Sequence, residues 1–171
     1  MTSSKDQPQV PDAVRTLTTY APEQTRQLGE RLGQLLRPGD FVGLVGDLGA
    51  GKTQLVRGVA DGVGVDRSQV ASPTFAIVYP YEGGRLPLHH ADLYRLADYD
   101  ELYATGFLDL VGGEGAMLVE WIDKVPEAAP PELLVLRLGH GEPSRPEERT
   151  LRAEAWGARY VPLLEAWLGK A

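Results

Sequence analysis

The chain has 171 residues, a length expected of one domain of ~100–200 residues and sufficient to bury a core without disulfides or a structural metal. It contains no cysteine, which excludes disulfide scaffolds, cysteine nucleophiles and thiolate-bound zinc or iron–sulfur sites. Its 17 basic and 24 acidic residues give a net charge of −7, which argues against non-specific nucleic-acid binding through a basic face.

The first 14 residues carry no helix or strand pattern. They are polar and rich in serine and proline, so we expect a flexible N-terminal tail over 1–14 and a single domain over 15–171. No apolar run approaches the ~18 residues that a membrane span needs, and the start lacks the apolar core of a secretory signal. The sequence therefore predicts a cytoplasmic protein with no membrane contact.

Hydrophobic periodicity predicts alternating helices and strands after the tail. An apolar stripe from Leu28 to Leu36 predicts a helix that starts near Pro22 and stops at Pro38, and 40–46 reads as a buried parallel strand. A glycine-rich turn separates that strand from the next helix. The remaining predicted elements are helices over 52–63, 98–103 and 160–168 and strands over 74–81, 86–91, 116–121, 133–138 and 149–155. Because a short polar loop joins the last two strands, we expect them to pair antiparallel. The sum is an α/β domain with a mixed parallel and antiparallel central sheet flanked by helices.

Residues 46–53 match the phosphate-loop pattern G-x-x-x-x-G-K-[ST], between a predicted buried strand and a helix. The glycines let backbone N–H groups point inward at phosphate oxygens, and the following helix adds its positive N-terminal end. Lys52 is expected to reach the β- and γ-phosphates, and the Thr53 hydroxyl to coordinate Mg²⁺. The fold is therefore predicted to be P-loop NTPase-like. Its nucleotide-binding residues would include Asp47, Leu48, Gly49, Ala50, Gly51, Lys52, Thr53 and Gln54.

The nucleotide is predicted to be ATP, with Mg²⁺ as the metal. P-loop GTPases read guanine with an Asn/Thr-Lys-x-Asp element. This chain has no asparagine, and none of its four lysines follows a threonine.

Two predicted strands end in an acidic residue that could serve the metal or the attacking water. We assign Glu120 to the Mg²⁺ shell beside Thr53, because its strand is the more apolar, and Asp92 to the water or to support of the metal ligands. The pattern also allows the reverse assignment. Lys52, Asp92 and Glu120 are thus the predicted catalytic residues.

Three neighbours of these acids have less specific interpretations. His89 and His90 would point to opposite faces of a strand, so they are not expected to share a metal, and His90 is interpreted as a packing or hydrogen-bonding neighbour of Asp92. If its strand continues, Trp121 faces away from Glu120, as a core residue or a base-stacking one. Thr74 either senses the γ-phosphate or enters a strand from a turn.

Taken together, these motifs resemble the TsaE (YjeE) family, the bacterial ATPases required to make threonylcarbamoyladenosine in tRNA. The resemblance runs from about Thr18 to Trp121 and is weaker beyond it. It rests on the order and spacing of the phosphate loop with Ser72-Pro73-Thr74-Phe75, His90-Ala91-Asp92-Leu93-Tyr94-Arg95-Leu96 and Val119-Glu120-Trp121.

The resemblance implies a function beyond the residue chemistry. Such proteins bind the TsaB–TsaD complex, which transfers the threonylcarbamoyl group to tRNA, and their ATP hydrolysis resets that complex. RNA would then be met only through these partners. Carried over by position, Asp92 and Glu120 match the acids needed for turnover, with Glu120 on the Mg²⁺ side. Thr74 matches the threonine of a switch-like loop, and Trp121 the tryptophan beside the acid at the nucleotide site.

Two alternatives stay open at the level of sequence. One is a small-molecule P-loop kinase, whose lid would draw on Arg145, Arg149 and Arg152. The other is an ATP-dependent binding module with negligible turnover. Because the pattern shows no arginine finger of the chain's own, hydrolysis by the free chain is expected to be slow.

Overall fold

The computed structural model describes residues 9–70 and 77–170, and these contain a seven-stranded sheet and five α-helices. The strands are β1 (Ala13–Thr19), β2 (Phe41–Val45), β3 (Val78–Tyr81), β4 (Leu88–Asp92), β5 (Ala116–Glu120), β6 (Leu133–His140) and β7 (Arg149–Trp156). The helices are α1 (Pro22–Leu35), α2 (Lys52–Val63), α3 (Tyr99–Ala104), α4 (Phe107–Leu110) and α5 (Tyr160–Leu168). Short 3₁₀ turns cover Arg67–Gln69, Ile122–Lys124 and Pro126–Ala128.

The sheet has the order β1-β7-β6-β2-β5-β4-β3. Strands β4, β5, β2 and β6 are parallel neighbours, whereas β3, β7 and β1 join antiparallel. This confirms the predicted mixed α/β sheet. The parallel register brings the carboxyl ends of β2, β4 and β5 to one edge, with Leu44 opposite Glu120 and Glu120 opposite Asp92.

Alternate residues of the central strands enter two separate apolar clusters, one on each face of the sheet. Val42 and Leu118 pack with α1, α2 and α5, whereas Phe41 and Met117 pack with α3, α4 and the turns after β5. The runs that are apolar on both faces are therefore explained by helices or turns covering both faces of the sheet.

Helices α1 and α2 approach each other to backbone contact through glycines. A Cβ atom at Gly29 would collide with the carbonyl oxygen of Leu55, and one at Gly58 with that of Arg26. Gly33 and Gly62 make equally close approaches one turn further along. This close packing positions α2, and with it the phosphate loop that precedes it.

Two sequence predictions need correction, and one helix was not predicted. Ala13 and Val14, expected in the tail, belong to β1, which pairs with β7 over its whole length. The strand predicted over 116–121 ends at Glu120. Helix α4 was not predicted, since four residues are too few to show a helical period. The first residues of the strand predicted over 74–81 lie outside the described residues.

Within the described ranges, no helix combines the length and apolar character needed to cross a membrane.

Candidate nucleotide site

The loop between β2 and α2 has the backbone conformation that its glycines permit. Gly49 and Gly51 adopt left-handed conformations, with φ of 77° and 102°, and Gly51 directly precedes α2. At Gly46 a Cβ would lie 2.6 Å from the carbonyl oxygen of Leu138, so the loop runs close against β6. A residue with a side chain would strain these positions.

This loop borders a cavity of about 320 Å³ at the carboxyl edge of the parallel strands. The structure brings together there every predicted site residue except Thr74, which lies outside the described residues. From the prediction, the lining contains Asp47, Leu48, Gly49, Ala50, Gly51, Lys52, Thr53, Gln54, Asp92, Glu120 and Trp121.

The Lys52 ammonium group is buried in the cavity and bound by backbone oxygens. Its Nζ donates to the carbonyls of Gly46 and Asp47, at 3.2 Å in the second case. It also lies 4.2 Å from the centroid of the Trp121 ring. Burial lowers the pKa of Lys52 below its usual 10.5, and the nearby carboxylates of Glu120 and Asp92 oppose that shift. A cation held this way is a point charge at the phosphate loop.

The two predicted acids are register partners at the ends of adjacent parallel strands. Asp92 is partly buried, and this raises the pKa of its carboxyl above the usual 3.8, although a hydrogen bond of 2.9 Å from the Tyr94 N–H opposes the shift. Glu120 is almost fully buried, with 3% of its surface exposed. Both carboxylates line the cavity, one partly solvated and one anchored in the core.

The Glu120 carboxylate is hydrogen-bonded to a buried histidine, His90. Its Oε2 lies 2.6 Å from His90 Nε2, and His90 Nδ1 lies 3.1 Å from the Tyr81 hydroxyl. His90 shares a face of β4 with Asp92, as a neighbour of that residue should, but its side chain reaches diagonally to the neighbouring strand and its hydrogen bond goes to Glu120.

Trp121 lines the same cavity as Glu120 rather than facing away from it. Because β5 ends at Glu120, the direction of the Trp121 side chain does not follow the alternation of a strand. Trp121 has a left-handed φ of 60°, and no other non-glycine residue in the described ranges has a positive φ. Its ring lies 4.9 Å from that of Tyr94, centroid to centroid. The condition for Trp121 to face away, a strand that continues past Glu120, is not met, and the ring borders the same cavity as the other predicted site residues.

The outer wall of the cavity consists of residues that sequence reasoning did not place there. They are Pro22, Thr25, Glu147 and Arg149. The sequence analysis names Arg149 only as a candidate for a kinase lid, and no motif marks Pro22, Thr25 or Glu147. The Arg149 guanidinium donates to the carbonyls of Pro146 and Glu148, at 2.6 and 2.9 Å. The other two lid candidates, Arg145 and Arg152, pair with Glu148 and Glu154.

The oxygen donors at the site fit Mg²⁺. Thr53 supplies a hydroxyl and Glu120 a carboxylate, and both line the cavity. A hydroxyl and a carboxylate suit Mg²⁺, which is commonly held by one or two protein oxygens, nucleotide phosphates and water.

Comparison with known proteins points to one family. The family model described as "Threonylcarbamoyl adenosine biosynthesis protein TsaE" matches residues 19–150. A Bacillus subtilis protein named tRNA threonylcarbamoyladenosine biosynthesis protein TsaE is 39% identical over 150 residues, covering 86% of this chain and 89% of that protein. A Streptomyces coelicolor protein of the same name is 46% identical over 116 residues, covering 66% and 77%. The crystal structure of Bacillus subtilis YdiB superposes with a TM-score of 0.76 at 32% identity, covering 91% of this chain and 94% of that one.

Proposed function

The chain belongs to the TsaE family of threonylcarbamoyl adenosine biosynthesis proteins, and we propose that it binds and hydrolyses Mg·ATP in the machinery that makes threonylcarbamoyladenosine in tRNA. One observation carries the ATPase proposal: the phosphate loop with Lys52 opens onto the same cavity as Asp92 and Glu120.

The phosphate end of the cavity is suited to bind a triphosphate. Lys52 donates to two backbone carbonyls, and phosphate oxygens would take the place of these acceptors. The backbone of Gly49 and Gly51 has the left-handed turns of an anion-binding loop. Thr53 and Glu120 would hold Mg²⁺, which when bound neutralises phosphate charge as the bond to the leaving group breaks.

Asp92 is our proposed acceptor for the proton of the attacking water. Burial raises the pKa of its carboxyl, which makes the carboxylate a better base than that of an exposed aspartate. The sequence pattern shows no arginine finger of the chain's own, so we expect slow turnover by the free chain.

We propose further that the partners are TsaB- and TsaD-like proteins and that the chain acts in the cytoplasm. The net charge of −7 supports contact with tRNA through those partners rather than directly. The resetting of the transferase complex would then couple to hydrolysis at the cavity.

The test is steady-state phosphate release from ATP by the chain alone and then with TsaB, TsaD and tRNA. Slow release that the partners accelerate is the expected result. A rate that the partners do not change, with turnover only when a small-molecule acceptor is supplied, would instead identify a kinase. ATP binding with no release under any condition would identify a binding module.

Lys52→Ala tests the site itself. The substitution removes the point charge at the phosphates, so we expect Mg·ATP affinity to fall by about 10-fold or more in a binding titration. Lys170→Ala, at an exposed position beyond α5, is the matched control and should bind like the wild type. Unchanged affinity in Lys52→Ala would refute the site.

A further inference from the structure

We propose that His90 is a positioning residue that holds the Glu120 carboxylate in place for the Mg²⁺ shell, and that Tyr81 in turn holds His90. The inference rests on the proposed function, because it assigns a role in metal binding to Glu120. Neither His90 nor Tyr81 lines the cavity, so both would act on the site through Glu120.

The three side chains form a hydrogen-bonded chain across three neighbouring strands. Tyr81 lies at the end of β3, His90 within β4 and Glu120 at the end of β5. The Tyr81 hydroxyl is 3.1 Å from His90 Nδ1, and His90 Nε2 is 2.6 Å from Glu120 Oε2. Their exposed fractions are 1%, 0% and 3%, so water does not compete for these bonds.

The chemistry of the chain assigns its donors. A glutamate that binds a metal does so as the carboxylate, which only accepts, so in that form His90 Nε2 donates to Glu120. In the neutral imidazole Nδ1 then accepts, and the Tyr81 hydroxyl donates to it. Every buried side-chain polar atom of the described residues has a partner, so the chain is complete as it stands.

The consequence for Glu120 is a fixed orientation. A free glutamate at a strand end has several rotamers and loses that freedom when it binds a metal. Here Oε2 is bound to a ring buried in the core, while the residue still lines the cavity. Metal ligands in proteins are commonly hydrogen-bonded to a second residue that does not bind the metal itself. Loss of such a partner typically costs ~10–100-fold in metal affinity or activity.

Strand alternation explains why only one of the two consecutive histidines can do this. Leu88, His90 and Asp92 share one face of β4, and His89 points to the other, beside Gly115. His89 is half-buried and has no contact with Glu120, so it is a control of the same residue type in the same strand.

The experiment measures the affinity of a fluorescent ATP analogue as a function of Mg²⁺ concentration, and separately in EDTA. For His90→Ala we expect the Mg²⁺ concentration at half-effect to rise by ~10-fold or more, while affinity in EDTA stays within about 2-fold of wild type. A general loss of structure would weaken both. His90→Gln should restore most of the Mg²⁺ response, because its amide can donate to Glu120 as Nε2 does.

Two further variants keep the inference testable if His90→Ala does not fold. Tyr81→Phe keeps the ring and removes only the donor to Nδ1, and we expect it to raise the Mg²⁺ requirement about 3-fold. His89→Ala should match the wild type.

A wild-type Mg²⁺ response in His90→Ala, or in Tyr81→Phe where His90→Ala is unfolded, would overturn the inference. Absence of any Mg²⁺ response in the wild type would instead count against the proposed function.

Discussion

At the scale of single residues, the proposed role of Asp92 as proton acceptor links stability to activity. Partial burial raises the pKa of its carboxyl, so ionising it costs more in the folded chain than in the unfolded one. That cost is fully present above the raised pKa, and it disappears as the pH falls through the raised pKa towards the usual 3.8. The carboxylate is thus kept at the cavity at the expense of folding stability.

Asp92→Asn should therefore reduce turnover and raise stability together. We expect phosphate release to fall by ~10²–10⁴-fold, because the substitution removes the proposed proton acceptor. The amide oxygen can still accept from the Tyr94 N–H. The melting temperature should rise at pH 7, and the difference should shrink when the melts are repeated near pH 4. Asp109→Asn, at an exposed position in α4, should change neither quantity appreciably.

The same pKa shift predicts the acid limb of the pH–rate profile. Wild-type phosphate release should decline as the pH falls through the pKa of Asp92, which lies above 3.8, because the protonated carboxyl cannot accept the proton of water. Measuring release in a series of buffers at saturating Mg·ATP checks this. An acid limb that persists unchanged in the residual activity of Asp92→Asn would assign it to another group.

At the scale of elements, the crossing of α1 and α2 depends on the absence of side chains. Gly58 lies against the backbone of α1 at Arg26, where a Cβ has no room. Glycine costs an isolated helix ~1 kcal/mol relative to alanine, so its presence in mid-helix is explained by this contact and not by helix propensity. The contact matters to the site because α2 begins at Lys52.

Gly58→Ala should destabilise the fold although alanine favours helices. Overpacking against backbone gives an expected loss of ~1–3 kcal/mol in the free energy of unfolding, measured by denaturant titration. Gln34→Ala on the exposed side of α1 is the control, and it should be neutral or slightly stabilising. Increased stability in Gly58→Ala would contradict the close crossing.

At the scale of the whole molecule, one ion pair joins the C-terminal helix to the central strand. Arg159 Nε lies 2.9 Å from Asp40 Oδ1, and the Asp40 side chain is 2% exposed. The next residue, Tyr160, accepts from the Phe41 N–H at 2.8 Å. The start of α5 is thus tied to the start of β2, at the end of that strand away from the cavity.

Arg159→Ala should leave the buried Asp40 without its cation. Because Asp40 keeps the hydrogen bond from the Arg37 N–H and the Arg159 side chain is 41% exposed, we expect a loss of about 1–3 kcal/mol, less than for a fully buried pair. Arg145→Ala, which breaks an exposed pair with Glu148, should cost less than ~1 kcal/mol. Denaturant titrations of both variants make the comparison, and nucleotide affinity should be unchanged in both. Equal losses would contradict the distinction.

What the sequence by itself determined was whatever depends on local spacing. The phosphate loop, the helices from Pro22 and Lys52, the strand before the loop and the acid at the end of each of two strands are properties of short stretches, because turns and periodicity act between near neighbours. The family followed from those stretches in order, and comparison confirmed it.

What only the tertiary structure decided was which distant residues meet. Strand β1 exists because Ala13 pairs with Ala155, and its residues alone show no clear period. His90 reaches Glu120 because of the register between β4 and β5, and Arg149 lines the cavity because β7 lies beside β6. Trp121 enters the cavity because β5 ends one residue earlier. The pairing of β1 with β7 and the register between β4 and β5 join segments far apart in the chain, which no local pattern encodes. The pairing of β6 with β7 was expected from the loop between them, but the place of Arg149 at the cavity was not.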